Sequence, residues 1–144
     1  MKYIKKLGQQ ELGYRNGRQT TGAYFYISKS AVSFFPKLDK DIHNDHTIIE
    51  VRVNYREKPI FLNFVFHNDK YNNHLGTRNE YRIYLTRDVA PDDFFFKPND
   101  IVVFEKLEAN IFLLEKFSFG DSEYSKLNEV INKSKIKGFH AIID

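Results

Sequence analysis

Arg78, Glu80 and Arg82 alternate with Asn79 and Tyr81 in the run Gly76-Thr77-Arg78-Asn79-Glu80-Tyr81-Arg82. In extended backbone that spacing puts the first three on one face and the other two on the opposite one. Arginine presents paired donors to O6 and N7 of guanine. Glutamate accepts from N4 of cytosine and also fixes the planes of neighbouring guanidiniums. The row therefore has the chemistry to read adjacent G·C pairs, with Thr77, Asn79 and Tyr81 as further DNA-contacting candidates beside it; a salt-bridge ladder on an exposed sheet face is the competing reading. A second polar segment, Gly13-Tyr14-Arg15-Asn16-Gly17-Arg18-Gln19-Thr20-Thr21-Gly22, combines three glycines with Arg15, Asn16, Arg18, Gln19 and Thr20. Glycine permits a mobile loop, and Arg, Asn and Gln supply donors for guanine and adenine edges. Its alternative is an ordinary polar loop. Lys5, Lys6, Lys29 and Lys70 are the expected phosphate contacts, which set register without reading sequence.

The residues needed for catalysis are missing from the pattern. A metal-dependent nuclease of the common restriction type needs an acid, one intervening residue and then a lysine, so that metal ligand and lysine share the attacking water. No such triplet occurs: Glu57-Lys58, Glu105-Lys106 and Glu115-Lys116 are adjacent pairs, whose side chains point to opposite faces of a strand. The chain has no cysteine, which excludes a thiol nucleophile, a thiolate metal site and a disulfide framework. No serine occupies a Gly-x-Ser-x-Gly elbow. His43 and His46 flank Asn44 and Asp45 in a polar stretch that reads as a surface loop, with a metal pair as its alternative. Neither catalytic residues nor a cofactor or metal are expected.

The elements that would carry these segments are short strands. The 144 residues fall within the range of one domain; 42% are hydrophobic, and 14 Phe and 9 Tyr bring the aromatic share to 16%, a composition that favours sheet. Thr47–Tyr55 alternates, with Ile49, Val51, Val53 and Tyr55 opposite Glu50, Arg52 and Asn54. Ile60–His67 is apolar on both faces except at Asn63 and His67, which predicts a strand covered on both sides and paired with the first. Further strands are predicted at 23–28, 80–87, 101–107 and 111–117, the last two joined tightly through Glu108, Ala109 and Asn110. Strands at this spacing imply a mainly β barrel or sandwich. Ser28 caps a predicted helix over 29–35 that Pro36 ends and that plugs a barrel mouth. Asp121 or Ser122 starts another, with Tyr124, Leu127, Val130 and Ile131 as its apolar stripe, before Gly138 turns into a final short strand.

Charge is uneven along the chain. Residues 1–29 hold six basic residues against Glu11 alone, whereas residues 91–129 hold four lysines against nine acids. One end of the fold could face a polyanion while the other stays acidic; charges scattered over a solvated surface are the alternative. No run of 18 apolar residues and no signal-like segment occurs, so a soluble, cytoplasmic protein without membrane contact is expected.

Leu75-Gly76-Thr77-Arg78-Asn79-Glu80-Tyr81-Arg82-Ile83 resembles the DNA-recognition arm in the N-terminal effector domain of EcoRII-type restriction endonucleases. Gly17-Arg18-Gln19, then Gly22, Tyr26-Ile27-Ser28 and Phe35-Pro36, is similar to that family's other arm, strand and short helix in the same order. Lys97-Pro98-Asn99-Asp100-Ile101-Val102-Val103-Phe104-Glu105 resembles the start of a strand in plant B-three DNA-binding domains, which share the fold. The resemblance spans roughly residues 5 to 117. It implies an open DNA-binding pseudobarrel of about seven strands, with helices at the barrel mouths and two arms that grip the major groove. It further implies a CC(A/T)GG-like site, Arg78, Glu80 and Arg82 matching the family motif. The family's arm has a lysine between the Gly and Thr that adjoin here as Gly76-Thr77, and the loop after Gly22 is longer. The family's separate catalytic domain has no counterpart in these residues.

These readings converge on one expectation: a monomeric, non-enzymatic domain, residues 1–144, that recognises double-stranded DNA, either alone or beside a nuclease domain of a parent protein. Two other classes stay open. A single-strand binder would stack bases on Tyr24, Tyr71 or Tyr81, and a protein-interaction β domain would show little salt-dependent affinity for nucleic acid.

Overall fold

Alternation in the sequence becomes the inner and outer faces of one curled sheet. The computed structural model describes residues 1–12, 14–15, 18–19, 23–68, 79–91, 95–134 and 139–144, with 14, 15, 18 and 19 as backbone alone. The strands are β1 (Lys2–Lys6), β2 (Tyr14–Arg15), β3 (Arg18–Gln19), β4 (Tyr24–Ile27), β5 (His46–Val53), β6 (Ile60–His67), β7 (Glu80–Tyr84), β8 (Ile101–Glu108), β9 (Ile111–Phe117) and β10 (His140–Ile143). Two 3₁₀ segments, Gln10–Leu12 and Lys29–Phe34, and one α-helix, α1 (Tyr124–Lys133), complete the described elements.

Eight strands form a sheet in the order β10-β1-β8-β9-β5-β6-β7-β4, and β2 and β3 form a separate hairpin. The eight-stranded sheet is antiparallel except where β5 runs parallel to β9. The fold is the mainly β, open pseudobarrel expected, with eight strands in the main sheet rather than seven. β1 is the strand that periodicity did not mark, because Lys5 occupies an inward position.

The two edges curl toward each other. The Tyr26 ring of β4 lies 6.2 Å from the His140 ring of β10, and Lys5 Nζ lies 5.9 Å from the Tyr26 centroid. Phenylalanines fill the interior. Phe35 sits among Tyr3, Phe34, Phe64, Phe104 and Phe112, with centroids 5.2–5.7 Å away, so strands from both halves of the sheet close around one ring. The Lys29–Phe34 segment delivers it. Ser28 Oγ accepts from Ser30 N–H at 3.3 Å, and the chain leaves at Phe35 in extended geometry, as Pro36 requires. The segment expected as a helix is thus 3₁₀, with Ala31, Phe34 and Phe35 buried.

β6 departs from expectation. Ile60, Leu62, Phe64 and Phe66 are buried, but Phe61 is 59% exposed, so the strand is covered on one face only. β7 stops at Tyr84 rather than Arg87 because Thr86 O accepts from Val89 and Ala90 N–H. On the other side of β1, Ile4 joins Ile101, Val103, Tyr124, Ile131 and Ala141 in a second cluster. There α1 lays its predicted stripe, with Leu127 and Val130 packed at the margin. Asp121 precedes the helix without capping it; its carboxylate instead accepts from Ser118 N–H at 2.6 Å. No helix among the described residues is long and apolar enough to cross a membrane.

Candidate nucleic-acid interface

A cleft of about 1170 Å³ opens between the Gly8–Glu11 turn, β4 and the start of β7. Tyr24, Tyr26, Ser28 and Lys29 line one side, and Asn79, Glu80 and Arg82 line another. Of the two polar segments singled out from the sequence, the second lines it through Asn79, Glu80 and Arg82, and the first follows two residues after Glu11. The chain passes from the Gln10–Leu12 turn directly toward the β2–β3 hairpin, where Arg15 pairs with Arg18 and Tyr14 with Gln19. The second segment enters β7 at Glu80, beside β4, with Tyr26 opposite Arg82 and Tyr24 opposite Tyr84.

Glu80 and Arg82 share the outer face, as period-two geometry predicts. Arg82 Nε and Nη2 donate to Glu80 Oε2 at 3.1 and 2.9 Å, and Nη1 donates to the Tyr84 hydroxyl at 3.3 Å. The guanidinium carbon stands 4.0 Å from the Tyr24 centroid, a stacked cation–π contact. Burial alone would lower the Arg82 pKa, but the bonds to Tyr84 and Glu80 outweigh it and hold the group above its ordinary value. A guanidinium has five N–H donors. With three engaged, one N–H remains on each terminal nitrogen.

Tyr81 is a correction. Expected to contact DNA, it is instead 3% exposed, and its ring packs on Phe64 and Phe66 at 5.8 and 4.7 Å. Burial also raises its pKa. The same alternation that turns Glu80 and Arg82 outward sends Tyr81 into the core. Asn79 is exposed at the cleft. Asn16, Thr20, Lys70, Thr77 and Arg78 lie outside the described residues, and Arg15, Arg18 and Gln19 are placed by backbone only.

Lys5 is a second correction. Expected on phosphate, it is 2% exposed, and its ammonium meets Glu11 Oε2 at 2.6 Å. Burial lowers its pKa more than Glu11 raises it. Glu11 also accepts from Gly8 N–H at 3.0 Å and Tyr26 N–H at 2.8 Å, so one carboxylate ties β1, the turn before the first arm and edge strand β4. Nearby, His140 Nδ1 bonds to the Tyr3 hydroxyl. Burial, then the Lys5 charge, pushes the His140 pKa down to about 3 and keeps the ring neutral. Lys29 is exposed at the cleft, whereas Lys6 is half-buried beside the Phe139 ring.

Sequence reasoning missed Glu11, Tyr84 and the Gly8–Gln10 turn as parts of this site. Glu11 is the only acid in the first 29 residues, a signal that its role is specific. His46 sits near Asn44 O at 3.4 Å, and no cluster of three or more His, Cys, Asp or Glu suited to a metal occurs among the described residues.

No known family's sequence profile matches the chain, and no curated protein matches it by sequence. Among solved structures it is similar to the N-terminal domain of Helicobacter pylori LlaJI.R1. The TM-score is 0.66 and the identity 20%, over 100% of this chain and 98% of that one. At that identity the likeness establishes a shared fold.

Proposed function

We propose that this chain is a sequence-specific reader of duplex DNA, whose two arms enter the major groove from opposite rims of the cleft. The observation that carries the reading is one opening lined by the Gly8–Glu11 turn, which precedes the first segment, and by Asn79, Glu80 and Arg82 of the second, some sixty residues further along the chain. One supplies Arg15, Asn16, Arg18, Gln19 and Thr20, and the other Thr77, Arg78, Asn79, Glu80 and Arg82. The fold shared with an N-terminal domain from LlaJI.R1 supports a recognition module that acts beside other domains. The resemblance to EcoRII-type effector domains supports a CC(A/T)GG-like site.

Electrostatics favour the same reading. The acids lining the cleft are Glu11 and Glu80, and each is neutralised by a cation, Lys5 and Arg82. Lys29 and the basic residues of the arms therefore set the local sign. Phosphate contacts from Lys29 and Lys70 hold the duplex in register, and base contacts come from the arms. The single-strand alternative loses two of its three named platforms, the third, Tyr71, lying outside the described residues. Tyr81 is in the core, and the Tyr24 ring is covered by Arg82.

A gel shift at two salt concentrations tests this, with a CC(A/T)GG duplex against a scrambled duplex of equal composition. Arg78→Ala and Glu80→Gln should each cost roughly 1 to 3 kcal/mol of cognate binding and leave scrambled binding nearly unchanged. Equal losses on both duplexes would reject base reading by this row.

A further inference from the structure

Arg82 is fixed on three sides before any ligand arrives. Glu80 holds one edge of the guanidinium through two hydrogen bonds, Tyr84 holds Nη1, and Tyr24 covers one face at 4.0 Å. The tyrosines are cross-strand partners on β4 and β7, with rings 5.9 Å apart. The side chains of Arg82 and Glu80 are only 15% and 13% exposed, yet both line the cleft.

We propose that Tyr24 and Tyr84 are positioning residues for Arg82, and that they hold its two unengaged N–H groups as a preformed fork for one guanine. The proposal rests on the duplex-reading function. Arginine ordinarily loses much rotamer freedom when it binds, and a side chain already immobilised loses less. A fixed plane also discriminates. O6 and N7 of guanine accept two donors, whereas adenine at the same place presents an N6 donor against one of them. A guanidinium free to swing would find a phosphate instead and lose that distinction. Tyr24 contributes its ring face and Tyr84 its hydroxyl, so each makes a separable prediction.

The experiment uses the whole chain and duplexes in which each base pair of the preferred site is changed in turn. Tyr24→Leu should reduce discrimination about tenfold at one G·C pair, the same pair that Arg82→Ala affects. Binding to a scrambled duplex should stay within about twofold. Tyr24→Phe should retain discrimination, which also controls for folding at this position. Tyr84→Phe should lose about threefold at that pair. In an Arg82→Ala background, Tyr24→Leu should add nothing, since residues that act through one group are not additive.

The free protein provides an independent readout. In a ¹⁵N spectrum the Arg82 Nε–H signal should be displaced by the Tyr24 ring current and exchange slowly, and Tyr24→Leu should abolish both effects while Tyr24→Phe keeps them. An Nε signal indifferent to Tyr24→Leu overturns the proposal whatever the protein binds. So does a uniform loss over all duplexes. If the unsubstituted protein distinguishes no duplexes while the Nε signal responds as expected, the duplex-reading function has failed, and the guanine fork falls with it.

Discussion

Glu11 shows how far a single side chain can depart from what its charge suggests. Its carboxylate accepts from Gly8 N–H, Tyr26 N–H and the Lys5 ammonium, and the lysine is almost wholly removed from solvent. A buried ion pair carries little net stability, because desolvation offsets the attraction, but removing one partner leaves an uncompensated charge. Glu11→Gln should therefore lower unfolding free energy by about 3 to 5 kcal/mol in urea denaturation, the range typical of a broken buried pair. Replacing both partners, as Lys5→Met with Glu11→Gln, should restore much of it. A loss below about 1 kcal/mol for Glu11→Gln would mean that water reaches Lys5, with the pair behaving as a surface bridge. The pair also explains why Lys5 misleads a reader of the sequence. Nothing in Met-Lys-Tyr-Ile-Lys-Lys distinguishes a lysine destined for phosphate from one destined for a carboxylate several residues later.

At the scale of elements, what was legible followed from local pattern. β5, β8 and β9 lie close to where alternation and the Glu108–Asn110 connection place them, and α1 buries the stripe read from its 3.6-residue period. The 3₁₀ segment before Pro36 was visible through its cap and its stop. Phe61 was not legible, because an apolar run looks the same whether its second face is covered or bare. Nor was β1, whose pairing with β8 and β10 depends on residues about a hundred or more positions away. Phe35 illustrates the remaining difficulty: its importance comes from five aromatic neighbours drawn from β1, β6, β8, β9 and its own segment. Deleting a ring so enclosed leaves a cavity that several strands must share. Phe35→Ala should cost about 3 to 5 kcal/mol, measured by the shift in denaturation midpoint at constant slope, whereas Phe61→Ala on the exposed face of β6 should cost about 0.5 kcal/mol or less. Equal effects at the two positions would contradict the one-sided burial of the sheet.

Across the whole molecule, α1 and the cleft are carried by different strands. α1, with Glu129 paired to Lys133, packs against the Ile4 side of β1, whereas Lys5 and Tyr3 belong to the side that meets Glu11 and the core. The cleft and its exposed Lys29 lie with β4 and β7. If phosphates approach the cleft, only charges on that side should enter the salt dependence, which falls as about −0.9 in log–log slope for each phosphate neutralised on duplex DNA. Lys29→Ala should therefore make the slope shallower by about 1, and Lys29→Ala with Lys70→Ala by about 2. Neither should change the ratio of cognate to scrambled affinity, because phosphate contacts carry no sequence information. Glu123→Gln with Glu129→Gln on the α1 side should leave slope and ratio alike unchanged. A slope that responds to the α1 acids but not to Lys29 would put the polyanion on the opposite face of β1 and detach the two arms from DNA.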